Sequence, residues 1–117
     1  MGGTLPDSID AHLAARMEPF DSFWEAPEDI ARGYASFGRF YRRNYLSHFP
    51  ASREARILVI SCGPGYMVNA LLEEGYANVV GIDSDEGKVA WARERRLPCT
   101  VARCFDYLSN REEEFDV

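Results

Sequence analysis

The sequence predicts an α/β protein: an incomplete, doubly wound parallel sheet preceded by N-terminal helices. Three observations carry that expectation. Short apolar runs typical of buried strands alternate with stretches of helical period. The first such run leads into a glycine-bearing turn and then a helix. The last residues, Phe115-Asp116-Val117, read as the opening of a fourth strand.

Residues 1–26 read as an extension. A short helix is expected from Pro6-Asp7-Ser8 to Met17, with Ile9, Leu13 and Met17 on one face. Pro19-Phe20-Asp21 breaks it, and Phe20, Phe23 and Trp24 form an aromatic cluster. Residues 27–49 then read as one long amphipathic helix. Pro27 suits the first helical position, and Glu28 and Asp29 suit the positive end of its dipole. Ile30, Tyr34, Phe37, Tyr41 and Tyr45 recur at spacings of three and four, while Arg32, Arg39, Arg42 and Arg43 lie mostly elsewhere. Pro50 stops the helix.

The period then changes. Arg56–Ile60 is a short continuous apolar run, expected to be buried on both faces. After the turn Cys62-Gly63-Pro64-Gly65, residues 67–74 are helical and Gly75 ends them. Residues 78–82 form a second strand, and Asp83-Ser84-Asp85 is a loop with a helix cap. A helix over 85–96, anchored by Val89, Trp91 and Ala92, leads to a third strand at 99–102 and a short helix over 105–110. The expected division is a helical extension over 1–52 and the first half of a sheet domain over 53–117.

Composition narrows the function. Hydrophobic residues make up 46% of the 117, enough for a core, and the net charge is −6. An acidic chain argues against binding the phosphate backbone of nucleic acids. The three cysteines, Cys62, Cys99 and Cys104, have neither metal-ligand nor redox spacing. They read as buried small hydrophobes of a reducing compartment, and no metal is expected. The N-terminus lacks the pattern of a signal peptide, and no run has the length of a membrane span. A cytoplasmic location is therefore expected. His12 and His48 read as surface or capping residues.

Two features carry chemistry. Glycines in the turn after the first strand let a ligand lie against the backbone, ahead of a helix N-terminus with unpaired N–H groups. Asp83 follows at the end of the second strand, eighteen residues after Gly65. A carboxylate there accepts hydrogen bonds from ribose hydroxyls. Capping is better served by Ser84 or Asp85. A dinucleotide fingerprint would need a small residue where Val68 stands, and no P-loop lysine follows. The turn carries no cation for a diphosphate.

The stretches Val59-Ile60-Ser61-Cys62-Gly63-Pro64-Gly65 and Val80-Gly81-Ile82-Asp83-Ser84, with the helix ending near Ala92-Arg93, resemble the class I S-adenosylmethionine (SAM)-dependent methyltransferases. The resemblance covers residues 54–117. It implies a Rossmann-like fold and binding of SAM and S-adenosylhomocysteine (SAH). It implies methyl transfer to a small-molecule or protein acceptor. It also implies that Ser61, Cys62, Gly63 and Gly65 line the methionine part, that Asp83 holds the ribose and that Ser84 sits beside adenine. Three positions depart from the family. Val59 stands where an acidic residue is common, and Ser61 replaces the first glycine. The adenine-contacting Asp expected after the third strand falls at Arg103 or Cys104. Asp106 either substitutes for it or caps the short helix. Tyr34, Tyr41, Tyr45, Arg42 and Arg43 either reach cofactor or substrate, or form an aromatic stripe on the sheet with arginines in solvent. Amphipathicity favours the latter.

The family's sheet is longer, so the chain reads as a fragment carrying the cofactor site, without the residues that handle the acceptor. An unpaired first-strand edge at Ile57–Ile60 would invite homodimerisation. Two rival readings remain. One is a nicotinamide-dependent oxidoreductase, which Val68 disfavours. The other is a catalytically inactive, oligomerising fragment.

Overall fold

A computed structural model describes residues 27–110 and 114–117. The short helix and aromatic cluster expected within 1–26 lie outside the described residues. The chain divides into two compact units, 1–32 and 33–117. Of the first, only the opening turns of a helix are described.

That helix, α1 (Pro27–Asn44), starts as its sequence dictates. Glu28 and Asp29 occupy the first turn and Arg42 and Arg43 the last, each complementing the dipole. It stops short of the expected 27–49. A 3₁₀ turn, Leu46–His48, finishes the segment and buries Leu46. There follow β1 (Arg56–Ile60), α2 (Tyr66–Glu73), β2 (Asn78–Asp83), α3 (Glu86–Glu94), β3 (Cys99–Val101) and α4 (Cys104–Ser109).

The three strands are parallel in the order β1-β2-β3, with Ile57 opposite Val79 and Gly81 between Val59 and Cys99. The expected fourth strand begins where the doubly wound order requires it. Val117 donates its N–H to the Arg56 carbonyl at 3.3 Å and accepts from the Leu58 N–H at 3.0 Å. This alternation is that of a parallel pair, and it uses the β1 groups turned away from β2. Asp116 adds a carboxylate bond from the Arg56 N–H at 2.8 Å. The β1 edge expected to be bare is thus covered by the chain itself along Arg56–Leu58.

One sheet face carries Ile57, Val79, Gly81 and Cys99, all buried. Val68 and Leu71 of α2 and Val89 and Ala92 of α3 complete this core. The expectation that β1 is buried on both faces fails. Ile57 is buried, Leu58 and Val59 are half-buried, and Ile60 is 48% exposed. Both crossover helices share one face. On the opposite face Leu58 and Val80 are half-buried and Ile60 is exposed, while Ile82 is buried.

Helix α1 packs on α2 rather than on the sheet, because α2 already occupies that face. Tyr34 meets the Tyr66 ring edge-on at 4.7 Å between centroids, and Phe37 stacks on it at 4.9 Å. Gly33 permits the approach, since a Cβ there would fall within the Tyr66 ring. Tyr45 lies past the end of the helix and is 46% exposed.

Candidate functional site

The turn after β1 is built on three left-handed residues. Ser61 and Gly63 both have φ 56° and Gly65 has φ 88°. Cys62 extends the ladder by donating its N–H to the Ile82 carbonyl, and the Gly65 N–H closes the turn on the Cys62 carbonyl, both at 2.9 Å. The φ at Ser61 is one that glycine adopts freely and serine does not. A side chain in this region is strained by about 1–2 kcal/mol. Ser61→Gly should raise stability by about 0.5–1 kcal/mol, the gain being partly offset by glycine's freedom in the unfolded chain. A urea midpoint that stays level or falls would show that the serine side chain compensates.

Asp83 ends β2, half-buried. Its Oδ2 accepts from the Gly63 N–H at 2.9 Å and its Oδ1 from the Asp85 N–H at 2.8 Å. Asp85 is the cap of α3, accepting from the Lys88 N–H at 3.1 Å. So capping falls to Asp85 as expected, but Asp83 has a structural task that the sequence did not disclose. It ties the glycine turn to the β2–α3 loop. Each carboxylate oxygen keeps a second lone-pair direction, so ligand hydroxyls can still be accepted.

A cavity of about 340 Å³ opens at the C-terminal ends of the strands, lined by Ile60, Ser61, Ile82, Asp83, Ser84, Ala102, Arg103 and Cys104. Ligands of open α/β sheets bind at this end. Among the expected site residues, Ser61, Asp83, Ser84 and Cys104 line it, and Gly63 is joined to it through Asp83. Cys62 and Gly65 are buried. The Cys62 thiol donates to the Gly63 carbonyl at 3.6 Å. Its interaction with the Cys99 thiol, followed by burial, pushes Cys62 far up, while the same interaction lowers Cys99. Asp106 lies in the first turn of α4, exposed and outside the lining. Arg103 and Cys104, the two positions at which the resemblance would put a carboxylate, both line the cavity. Sequence reasoning passed over Ile60, Ile82 and Ala102 as lining residues. Their only signal was their position at the strand ends.

The structure also accommodates Val68 differently from expectation. Val68 is fully buried, and its Cγ2 lies 2.9 Å from where a Gly81 Cβ would stand. The small residue that lets helix and strand approach is on β2 rather than on the helix.

Helix α1 reaches the turn through Tyr34, whose hydroxyl donates to the Pro64 carbonyl at 2.5 Å. The Arg95 guanidinium sits over the same ring, 3.8 Å from its centroid. Burial pushes the Tyr34 phenol from its ordinary 10.0 up to about 12, against the opposing pull of Arg95. The folded chain then keeps a proton that the unfolded chain loses. This contribution to stability is full below pH 10 and drains away as pH rises toward 12. Tyr34→Phe should flatten part of that alkaline slope in urea midpoints taken across pH, and should cost about 1 kcal/mol at neutral pH for the lost hydrogen bond. An unchanged slope would count against the buried phenol.

Among the described residues, no group of three or more His, Cys, Asp or Glu side chains could hold a metal ion. No described helix is long and apolar enough to cross a membrane.

No protein-family model matches the chain, and no curated protein matches it. Solved structures do. A SAM-dependent methyltransferase from Archaeoglobus fulgidus is 25% identical with a TM-score of 0.55, over 65% of this chain and 32% of that one. A methyltransferase of the same kind from Mesorhizobium loti is 28% identical with a TM-score of 0.42, over 50% and 28% of the two chains. The plantazolicin methyltransferase BpumL, solved with SAH, is 17% identical with a TM-score of 0.48, over 96% and 41%. The parallel sheet and its helices thus have the Rossmann-like fold of SAM-dependent methyltransferases. The matched part spans about a third of the length of the Archaeoglobus enzyme.

Proposed function

We propose that this chain carries the SAM-binding half of a methyltransferase that acts on a nucleophile of a small-molecule or protein acceptor. The observation that supports this most is the Asp83–Gly63 hydrogen bond. A diphosphate would draw on the turn's N–H groups, and here the Asp83 carboxylate already holds one of them. A carboxylate at this strand end takes the ribose of a dinucleotide as readily as that of SAM, so titration with NADH separates the two. SAM has no phosphate, and its ribose hydroxyls are donors that suit Asp83.

In this reading Asp83 takes the ribose hydroxyls and Ser61 and Gly63 border the methionine end. Ser84, Arg103 and Cys104 flank adenine, with Ile60, Ile82 and Ala102 as apolar walls. Bound there, SAM supplies an activated methyl group on a sulfonium. The chain's residues bind and orient it, and the rate gain comes chiefly from positioning. Self-association through the β1 edge loses the Arg56–Leu58 stretch, which residues 116–117 cover.

Calorimetric titration with SAH, and separately with NADH, tests the assignment. Saturable SAH binding with no NADH response is expected. NADH binding in preference to SAH would instead favour the oxidoreductase, and the close packing of Val68 over Gly81 is the observation that keeps that alternative open. Binding of neither would sink the cofactor-site reading.

A further inference from the structure

Residues 30–53 hold none of the chain's 19 acidic residues and five of its 13 basic ones, Arg32, Arg39, Arg42, Arg43 and Arg53. In a chain of net charge −6 this is a local reversal of sign. Three of these arginines are occupied. Arg32 pairs with Asp29 and Arg42 with Glu73. Arg53 donates to the Glu74 carbonyl at 2.9 Å and lies over the Tyr76 ring. Arg39 and Arg43 have no such partner among the described residues. They are exposed and stand one helical turn apart, so their side chains leave neighbouring points of α1. Phe40, 48% exposed, completes the same face. With Ser36, Arg42 and Asn44, these residues border an open concavity.

This face is separate from the cavity at the strand ends and shares no lining residue with it. Helix α1 touches the glycine turn at Tyr34 and the last residue of α2, Glu73, at Arg42. The Arg39–Arg43 stretch therefore lies toward the end of α2 remote from the cofactor turn.

We propose that this face docks an acidic segment of a partner protein, one that presents carboxylates beside an apolar side chain. Two guanidinium forks without a partner among the described residues suit carboxylates bidentately. Phe40 between them supplies an apolar anchor. Nucleic acid fits less well, because the rest of the acidic chain repels a long polyanion, whereas a short acidic segment meets only the local positive field.

Fluorescence anisotropy with a labelled peptide of repeated Glu-Glu-Leu tests this. The wild type should bind saturably and more weakly as salt rises. The double variant Arg39→Glu/Arg43→Glu should weaken binding by at least about tenfold, while Arg32→Gln, outside the concavity, leaves it within about threefold. Circular dichroism checks the fold, and Arg39→Gln/Arg43→Gln serves if the charge reversal disturbs it. Equal binding by a folded double variant would overturn the proposal. So would the absence of saturable peptide binding, or tighter binding of a labelled oligo-dT.

Discussion

Asp83→Ala should lower SAH affinity by about 100-fold or more and destabilise the fold by about 1–3 kcal/mol. The two losses have different origins. Each hydrogen bond from a hydroxyl to a carboxylate is worth about 1.5–3 kcal/mol, and the ribose offers two. The stability loss comes from the Gly63 and Asp85 N–H groups, which the same carboxylate satisfies in the absence of any ligand. Asp83→Asn separates them. Its amide oxygen still accepts one backbone N–H, so stability should recover in part, while the charge that favours the ribose hydroxyls is gone. Calorimetry and urea unfolding on the three proteins read both quantities. SAH affinity within about threefold of wild type in a folded Asp83→Ala protein would remove Asp83 from the site and leave it a purely structural residue.

Gly65→Ala should cost about 2–4 kcal/mol. A φ of 88° is strained for any side chain, and the added Cβ would stand 2.7 Å from Leu97 Cδ1 and 3.3 Å from Cys99 Sγ. Both neighbours are buried, Leu97 just after α3 and Cys99 on β3, so each gives way only at a cost in packing. Overpacking of this kind adds about 1–3 kcal/mol. Leu97→Ala alone also destabilises, by about 2–3 kcal/mol for its cavity. Combined with Gly65→Ala it should cost less than the sum by at least about 1 kcal/mol, because the clash is gone. Strict additivity in urea unfolding would mean that Leu97 is not what excludes a side chain at position 65.

Much of the candidate site was legible because parallel α/β sheets place ligands at strand ends, and strand ends can be found from the apolar runs. Asp83 follows from that rule, whereas Ser61, Ser84 and Cys104 came from the family resemblance, and all four line the cavity there. Cys62 and Gly65 share the same short motif yet are buried, since the turn's left-handed residues send successive side chains in different directions. Asp106 was reachable only by counting along an irregular connection, and α4 begins one residue earlier than expected, at Cys104.

Local chemistry was enough to order the elements. The switch from helical period to apolar runs, the glycines at a turn and the caps at Pro27 and Asp85 are all short-range signals, and the described strands and helices appear within a few residues of where those signals place them. Long-range contacts were beyond its reach. Only the tertiary structure decided that Val117 pairs with Arg56 and Leu58, that Gly81 rather than a helix residue makes room for Val68, that Tyr34 is fastened to Pro64, and that Asp83 holds the turn it also faces. The physical reason is that backbone preference and hydrophobic period act over a few residues, whereas each of these contacts joins positions thirteen to sixty-one apart and depends on which sheet face another helix has already filled.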